Sequence, residues 1–376
     1  MKLSQPGGRI ASGFDPRVQL ARAQTAASSG RLQWPVMKAV IAERYGGPEV
    51  LELADVPIPQ VGPNGVLVQV HASSVNPVDW KLRRGLLSAL WDLRFPVIWG
   101  CDLSGVVEQV GSAVTLFKPG DSVYGFKHGK VAKTYRGTYA EYVVVPESAL
   151  ARKPQELSHE QAAAIPLAAL TAWQALLGRG RLRPGQRVLI HAAAGGVGGF
   201  AVQIAKAVGA RVAATAGARN QEFLRQLGAD LAIDYARERI EDKLSGFDLV
   251  LDCVGRSVWA ASLRVMKLGG RLVTLLPPIP EQPAGKLRFF ATAISGLLSG
   301  AGSALVQGKR FLLVQGKPRG GDLEKINALI EAAKLRPEIE KVFLLDQIAD
   351  AHRLSEQGHV RGKLVVRLNP LATRAS

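Results

Sequence analysis

The segment at positions 189–199, whose last eight residues are all small, constrains the fold of this chain more than any other segment. No side chain larger than valine lies between His191 and Phe200. The segment Arg187–His191 before it has the pattern of a buried strand, and Val197–Ala210 after it has apolar residues at helical spacing. A bare turn of this kind lets a pyrophosphate approach the backbone, and the N–H groups at the helix N-terminus attract its charge. The stretch therefore predicts a dinucleotide-binding turn, whose expected cofactor-binding residues are Ala193, Gly195, Gly196, Val197 and Gly198.

This turn lies within residues 158–314, where strand and helix patterns alternate. Such alternation is typical of a doubly wound parallel sheet with right-handed crossovers, as in a Rossmann domain. Gly209, Gly228 and Gly269 follow predicted helices and are expected to be their left-handed caps. The predicted strands are Arg187–His191, Arg211–Thr215, Leu231–Ile233, Leu249–Cys253 and Arg271–Leu276.

Residues 37–157 show a different pattern, with short β-branched segments separated by glycine and proline, which predicts an all-β domain. Residues 315–370 are too few to form a domain alone, so we expect them to return and complete this first domain. The fold class is therefore α/β, with a β domain and a Rossmann domain. The predicted strands of the β domain are Gly65–His71, Gly105–Val110, Asp121–Tyr124 and Tyr139–Val145. The C-terminal part is predicted to add helices Leu323–Ala333 and Ile348–Glu356 and strands Val342–Leu345 and Lys363–Arg367.

The chain is strongly basic, with 48 lysines and arginines against 31 acidic residues and a net charge of +17. The basic residues are scattered; one of the densest short groups is Lys81-Leu82-Arg83-Arg84, and no zinc-finger spacing or aromatic–basic RNA motif accompanies them. A solvated basic surface is therefore expected, and nucleic-acid binding is disfavoured. An anionic partner such as a membrane surface stays the alternative. The two cysteines, Cys101 and Cys253, exclude a disulfide framework, and a reducing cytoplasm is the default location.

Two further segments need separate interpretations. Residues 1–36 are rich in small and basic residues with one acid, Asp15, and Met37 resembles a natural start. We expect a disordered extension or a mis-assigned start; the alternative is a mitochondrial transit peptide, which would change the location. The uncharged segment Phe289–Val306 has the minimum length of a membrane span. Because it contains glycines and serines, we expect a loop and a helix packed on the protein, with a peripheral membrane contact as the alternative.

The end of the second Rossmann strand bears on the choice of cofactor. Dinucleotide folds that bind NADH normally carry an acid about 20 residues past their glycines, where it binds the ribose hydroxyls. Here Thr215 and Gly217 are followed by Arg219, with no acid among them. Arginine attracts a 2′-phosphate that a carboxylate would repel, so NADPH is expected. The alternative is that Arg219 is simply an exposed residue at a helix start.

Several segments, in this order and spacing, resemble the medium-chain dehydrogenase/reductase superfamily in its zinc-independent quinone oxidoreductase and enone reductase branch. They are Val75–Lys81, Gly100–Val107, Phe117–Gly125, Gly137–Tyr142, Ala168–Trp173, the glycine-rich turn and Gly358–Lys363. The resemblance implies a GroES-like β-barrel domain, a Rossmann domain, a cofactor cleft between them and a homodimer. It also implies a small-molecule substrate, a quinone or an α,β-unsaturated carbonyl compound.

The zinc-dependent branch of this superfamily uses ligands that this chain lacks. Asn76 stands where that branch has a catalytic cysteine, and Cys101-Asp102 stands where it has a histidine–glutamate pair. The four-cysteine lobe is missing as well. We therefore expect no metal, and we interpret Cys101 as a small apolar residue at a strand start.

Without a metal, reduction of a conjugated acceptor is easier than reduction of a simple ketone. Hydride reaches a β-carbon or quinone carbon, and the negative charge that develops on an oxygen needs a donor. Asn76 is a candidate donor to the substrate oxygen or the nicotinamide ribose, and Asp79 and Lys81 follow in what we expect to be the same loop. Lys81 can stabilise an enolate or supply a proton. The alternatives are an ordinary turn at Asn76-Pro77 and a loop salt bridge between Asp79 and Lys81.

The resemblance also implies positions for the remaining cofactor-binding residues. Thr171 would lie under the nicotinamide, Tyr235 near the adenosine, and Val254 and Leu276 at strand ends beside the cofactor, while Lys363 would bind a cofactor phosphate. Thr215, Gly217 and Arg219 complete the expected set.

Other functions within the same fold stay open at this point. The enoyl-thioester reductases of the superfamily that this chain resembles carry a tyrosine in the loop after the Asn-Pro segment. No tyrosine occurs between Asn76 and Trp99 here, which disfavours that activity. A zinc-free enzyme like an alcohol dehydrogenase and a non-catalytic protein that binds RNA or membranes are the further alternatives.

Overall fold

The computed structural model describes residues 35–90, 93–127, 136–275 and 277–368. The predicted N-terminal extension, apart from its last two residues, lies outside this part of the chain, as does Leu276.

The N-terminal part, together with two strands from the C-terminal part, forms a seven-stranded sheet and a small three-stranded sheet. In the larger sheet β3 pairs antiparallel with β5, β7 and β16, and the order is β15-β16-β3-β5-β6-β8, with β7 paired to β3 off this path. The small sheet has the order β2-β1-β4. The strands are β1 (Val36–Ala42), β2 (Glu52–Pro57), β3 (Gly65–Val75), β4 (Val97–Ile98), β5 (Asp102–Val110), β6 (Ser122–Phe126), β7 (Tyr142–Pro146), β8 (Leu150–Arg152), β15 (Ile339–Leu344) and β16 (Lys363–Arg367).

The C-terminal strands therefore join the first sheet. Leu364 of β16 pairs with Val75 at the end of β3. This pairing explains why β3 continues to Val75, four residues beyond the predicted end at His71. The predicted start of β7 at Tyr139 is wrong, because Tyr139 bonds through its backbone to Trp99 and the strand begins at Tyr142.

The second sheet has six parallel strands in the order β11-β10-β9-β12-β13-β14. This is the doubly wound sheet that the alternating pattern predicted, with one strand more. Its strands are β9 (Arg187–Ile190), β10 (Arg211–Ala216), β11 (Leu231–Asp234), β12 (Phe247–Asp252), β13 (Met266–Thr274) and β14 (Arg310–Leu313). The fifth strand begins five residues before the predicted Arg271, and β14, at the edge of the sheet, was not predicted.

Helices cover both faces of this sheet and the junction with the first one. They are α1 (Pro77–Arg83), α2 (His159–Ala163), α3 (Pro166–Trp173), α4 (Gly196–Ala207), α5 (Gln221–Gln226), α6 (Ile240–Lys243), α7 (Trp259–Val265), α8 (Lys286–Val306), α9 (Gly320–Glu331) and α10 (Ile348–Glu356). The largest buried cluster lies where α3 and α4 pack on β9 and β12, and it includes Leu170, Ile190, Ile204 and Leu251.

Two of the three predicted glycine caps are confirmed. Gly209 (φ +85°) follows α4 and Gly228 (φ +100°) follows α5, in the left-handed conformation that glycine adopts most easily. Gly269 (φ +72°) also has a positive φ, but it lies inside β13 and donates to the Gly308 carbonyl, 2.8 Å away, so it does not cap a helix.

The segment expected to be a loop and a packed helix is instead one continuous helix, α8, of 21 residues. Only Phe289, Gly296, Gly300 and Ala304 are buried in it. Its glycines are packing positions: a Cβ at Gly296 would lie 2.3 Å from Pro278 Cγ, and one at Gly300 would lie 2.7 Å from Phe311 Cε2. Within the described ranges, α8 is the one helix long and apolar enough to cross a membrane.

Candidate functional site

The glycine-rich turn connects β9 to α4 and leaves the N-terminus of this helix open. Gly195 is the N-cap residue and supplies no side chain, and the first helical bond is donated by Gly199 to the Gly195 carbonyl. The N–H groups of Gly196, Val197 and Gly198 therefore have no acceptor within the helix. The N-terminus of this twelve-residue helix, with its free N–H groups, attracts an anion.

Close packing explains why the turn needs glycine at position 198. A Cβ there would lie 2.4 Å from the Ala192 carbonyl oxygen and 2.6 Å from Ala193 Cα. Ala192 itself has a positive φ of 50°, and the Ala193 N–H donates to the Thr215 carbonyl at 2.9 Å. The helix is thus held tightly against the turn, and the described residues fit the pyrophosphate of a dinucleotide.

The C-terminal segment forms the other wall of this site. Gly362 donates to the Ala194 carbonyl at 2.8 Å and forms an isolated bridge with Gly195. A Cβ at Gly196 would lie 2.8 Å from Lys363 Cδ. The glycine turn of the second sheet therefore touches the first residue of β16, and the predicted cleft lies between the two sheets. The recess at this junction is lined by Gly195, Gly196, Gly199, Phe200, Gln203, Phe223, Arg336, Glu338, Gly362 and Lys363.

A buried polar cluster lies beside this contact. Lys363 Nζ donates to Asn76 Oδ1 and lies 3.4 Å from Asp102 Oδ2. Asn76 Nδ2 donates to the same Asp102 oxygen at 2.8 Å. The Ser74 hydroxyl and the Leu167 N–H donate to the Asp102 carboxylate as well, at 2.6 and 2.7 Å. We call Asn76, Asp102 and Lys363 the junction cluster, because they come from the end of β3, the start of β5 and the start of β16.

The junction cluster bears on two of the predicted roles. Lys363 was expected to bind a cofactor phosphate, but its ammonium is engaged by Asn76 and Asp102. Asn76 was expected to donate to the substrate oxygen or the nicotinamide ribose; it is only 2% exposed and its amide bonds at both ends, so one N–H of its Nδ2 remains for such a contact. Asp102 was not predicted as a site residue; the signal was its place in the Cys101-Asp102 pair, which we had weighed only as a metal site.

Asp79 lies beneath the cluster, not in the cleft. It is fully buried within α1, where the sequence suggested a loop, and it accepts from the Asn76 N–H at 2.8 Å. The Cys101 thiol and the Tyr139 hydroxyl donate to its two oxygens, each at 3.2 Å. Burial raises the pKa of Asp79 to about 6. Its complete burial keeps the Asp79 carboxyl away from the protein surface, and no salt bridge joins it to Lys81 among the described residues.

A chain of buried polar groups continues from Asp79 to the surface. The Tyr139 hydroxyl is 3.3 Å from His352 Nε2, and Arg83 Nε donates to His352 Nδ1 at 3.3 Å. Arg83 also pairs with Glu356, which is partly exposed. Burial lowers the pKa of His352 to about 3, so the imidazole is neutral. Arg83 was assigned to the solvated basic surface from its sequence neighbours, which is wrong because its side chain is completely buried.

Lys81, the third predicted catalytic residue, forms no ion pair with any of the described residues. It is half-buried on α1, and its ammonium lies 5.5 Å from the centre of the Trp80 ring. Burial lowers the pKa of this amine. A lysine with these properties can release a proton more readily than one in water.

The hydroxyls of Thr171 and Thr215 bind within the protein. Thr171 Oγ1 donates to the Leu167 carbonyl at 2.7 Å. A Cβ at Gly316 would lie 2.2 Å from the same Thr171 Oγ1. Thr215 Oγ1 is 3.1 Å from His191 Nδ1, so it faces the interior of the sheet and not a cofactor. The Thr215 hydroxyl is therefore engaged within the protein.

The predicted adenosine end is open and carries no acid at the end of β10. Arg219 is exposed in a short turn before α5 and donates to the His359 carbonyl. Tyr235 is 62% exposed, and its hydroxyl would lie 3.7 Å from a Cβ at Gly217. Val254 is also exposed, at the carboxyl end of β12. The structure thus brings Arg219, Gly217 and Tyr235 together; the expected position of Leu276 lies outside the described residues.

No metal site is present in the part of the chain that the structure describes. No three histidine, cysteine or acidic side chains meet there in a way that could hold an ion. At the place of the zinc ligands of related enzymes, Asn76, Cys101 and Asp102 are each hydrogen-bonded to protein groups.

Comparison with known proteins places this architecture among dehydrogenases. The model of the alcohol dehydrogenase GroES-like domain matches residues 62–155, and the model named zinc-binding dehydrogenase matches residues 227–366. The chain is 35% identical over 366 residues to a mitochondrial NAD(P)H oxidoreductase, RTN4IP1, of Danio rerio, covering 88% of this chain and 91% of that protein. It is 36% identical over 337 residues to a chloroplastic NADPH-dependent alkenal/one oxidoreductase of Arabidopsis thaliana, covering 88% and 79%. The structure of the quinone oxidoreductase from Coxiella burnetii superposes with a TM-score of 0.78 at 35% identity, covering 89% of this chain and all of that one.

Proposed function

This chain belongs to the medium-chain dehydrogenase/reductase superfamily, in its quinone and enone reductase branch, and we propose that it is a zinc-free reductase that uses NADPH. Its substrates in this proposal are quinones or α,β-unsaturated carbonyl compounds. The observation that carries the proposal is the contact between the open glycine turn and the junction cluster. Where a metal would need free ligands, Asn76 and Asp102 already bind each other and Lys363.

The preference for NADPH is supported by charge. Arg219 is exposed at the end of β10, no carboxylate lies in that turn, and Tyr235 offers an exposed ring and hydroxyl beside it. An arginine forms paired hydrogen bonds to a phosphate, which the 2′-hydroxyl of NADH cannot match. The glycine turn would hold the pyrophosphate of the same cofactor.

A bound cofactor would supply the hydride. The residues of this chain position the acceptor and stabilise the negative charge that develops on its oxygen. Asp102 and Lys363 fix the Asn76 amide from both ends, which leaves one N–H of its Nδ2 for an oxygen of substrate or cofactor. Lys363 adds a fixed positive charge beside the turn, where an anion that develops on the acceptor oxygen is stabilised. Lys81, with its lowered pKa, is the proposed proton source for the reduced product.

The proposal is tested by measuring NADPH oxidation with a naphthoquinone, an alkenal and a simple ketone, before and after dialysis against a metal chelator. We expect turnover of the first two substrates, little with the ketone, and equal rates after dialysis. Loss of activity in chelator with recovery on adding zinc would contradict the zinc-free mechanism. NADPH binding without turnover of any acceptor would favour a non-catalytic role.

Two further properties are proposed from family likeness alone. The first is a homodimer, which light scattering of the purified chain tests. The second is a location in the cytoplasm, or in mitochondria if residues 1–36 are a transit peptide. Fractionation of cells that carry the chain with and without residues 1–36 separates these two locations.

A further inference from the structure

Helix α8 has several large apolar side chains on its outer face, whereas three of its four buried residues, Gly296, Gly300 and Ala304, are small. Leu287, Ile294, Leu298 and Leu305 are separated by seven, four and seven residues, so they form one stripe along the helix. Leu287, Leu298 and Leu305 are 86, 67 and 77% exposed. This stripe is about 27 Å long at 1.5 Å per residue. A helix that only covered a core would have the opposite arrangement.

The inner face of α8 explains why these side chains point outward. Gly296 packs against Pro278, and Gly300 packs against Phe311 and the Trp259 ring, closely enough that a Cβ at either would clash. The helix therefore lies tightly on the Rossmann domain through its glycines and has no room for leucines on that side. The outward stripe is consequently a permanent surface of the folded domain.

The charge around α8 selects among possible partners. No aspartate or glutamate occurs between Glu281 and Asp322, and all charged residues in that interval are basic: Lys286, Arg288, Lys309, Arg310, Lys317 and Arg319. Lys286 and Arg288 are exposed on either side of Leu287, and Arg310, which begins β14, is exposed just beyond the other end of the helix. None of these three pairs with a carboxylate among the described residues. Two copies of this surface would repel each other, whereas an anionic surface would be attracted.

The topology decides between crossing a membrane and lying on it. The chain enters α8 from β13 and leaves it into β14, and these two strands are hydrogen-bonded neighbours from Arg271–Arg310 to Thr274–Leu313. A helix that spanned a bilayer would place β13 and β14 on opposite sides and break this pairing. An apolar face flanked by basic residues is instead suited to the interface plane, with its leucines below the headgroups.

We propose that α8 binds the surface of anionic phospholipid bilayers, with the leucine stripe in the interfacial region and Lys286, Arg288 and Arg310 on the headgroups. The occupant of this exposed apolar face is thus a membrane and not a second copy of the chain. The binding is peripheral and leaves the cofactor site on the folded protein.

Sedimentation of the full chain with vesicles tests this proposal. Vesicles of phosphatidylcholine alone are compared with vesicles of equal parts phosphatidylcholine and phosphatidylglycerol. We expect binding to the anionic vesicles that is much stronger than binding to the neutral ones. The double variant Ile294→Ser/Leu298→Ser should weaken it at least tenfold at every salt concentration, because it removes buried apolar area. Lys286→Ser/Arg288→Ser should weaken it roughly twentyfold at low salt, with a smaller difference at high salt.

The matched control replaces leucines that are exposed elsewhere. Leu53 and Leu116 are 49 and 58% exposed on other elements, so Leu53→Ser/Leu116→Ser should leave vesicle binding unchanged. All variants keep the basic residues of positions 1–36, and NADPH binding by each confirms that it is folded. Failure of the wild-type chain to bind anionic vesicles, or equal binding by the Ile294→Ser/Leu298→Ser variant, overturns the proposal. Conversion of a dimer to a monomer by that variant, without vesicle binding by the wild type, would assign the face to a second copy instead.

Discussion

Lys363 Nζ donates a hydrogen bond to the side-chain oxygen of Asn76, although 287 positions separate the two residues in the chain. This bond joins the last strand to the start of α1, and Lys363 reaches it by passing against the glycine turn. One side chain therefore contacts both the predicted cofactor site and the amide that is proposed to face the reacting oxygen. A change at either end of this bond is expected to affect both domains.

Removal of the Lys363 charge should destabilise the protein strongly. Lys363→Met leaves the buried Asp102 carboxylate without its cation, and loss of one partner of a buried pair typically costs about 3–5 kcal/mol. We expect a decrease of this size in the free energy of unfolding, measured with urea, together with a large loss of kcat/KM. The matched control is Lys325→Met, because Lys325 pairs with Asp322 at an exposed site, where such pairs contribute about 0–1 kcal/mol. Equal stability of the two variants would contradict the structural role of the junction cluster.

Charge reversal at Arg219 should change the choice of cofactor. Arg219→Glu places a carboxylate where a 2′-phosphate is proposed, so we expect the Kd for NADPH to rise roughly a hundredfold. The Kd for NADH should change much less. Fluorescence titration with both nucleotides measures this difference. Arg225→Glu, on the exposed side of α5 beside Glu222, serves as the control and should alter both affinities little. An equal loss for NADPH and NADH would remove Arg219 from the phosphate site.

A methyl group at Gly198 should disrupt the turn. Its Cβ would lie 2.4 Å from a backbone oxygen that cannot rotate away, so the helix or the turn must shift. We expect Gly198→Ala to lower the free energy of unfolding by about 1–3 kcal/mol and to weaken NADPH binding. Gly321→Ala is the control, because nothing lies within 4 Å of its Cβ in α9 and alanine favours a helix. A stable Gly198→Ala variant that binds NADPH normally would contradict the tight packing of this turn.

The sequence predicts best those features of the fold and the site that are formed by residues close to one another in the chain. The turn between a strand and a helix at the glycines and the parallel sheet could both be predicted, because each follows from a local sequence pattern. The junction cluster could not be predicted in the same way. Asn76 and Lys363 come together only through the register in which Leu364 pairs with Val75. Asp102 then completes the cluster from a third strand.

Burial was the main source of error for single residues. Arg83 and Asp79 have charged side chains in a basic, polar-looking segment, yet both are completely buried. Their partners, His352 and Tyr139, are far away in the sequence, so no local pattern indicates that their polar groups are satisfied. The prediction of a loop within α8 was wrong because the packing of its glycines against the domain cannot be read from the local sequence. These glycines suggested a loop, whereas Gly296 and Gly300 allow a helix to approach the domain closely.

The buried Asp79 should make stability depend on pH in a defined direction. Burial raises its pKa from 3.8 to about 6 in the folded protein, so the folded state binds this proton more tightly than the unfolded state does. The resulting stabilisation is fully present below pH 3.8 and is lost as the pH rises through about 6. It amounts to about 3 kcal/mol at 1.36 kcal/mol per pKa unit. Asp79→Asn cannot titrate, so the difference in free energy of unfolding between wild type and variant should change by most of this amount, about 2 kcal/mol, from pH 4 to 7. Buried histidines such as His352 titrate in both proteins and cancel in this difference. Asp55→Asn, at an exposed position, is the control. A difference between wild type and Asp79→Asn that stays constant over this range would show that burial does not raise the pKa of Asp79.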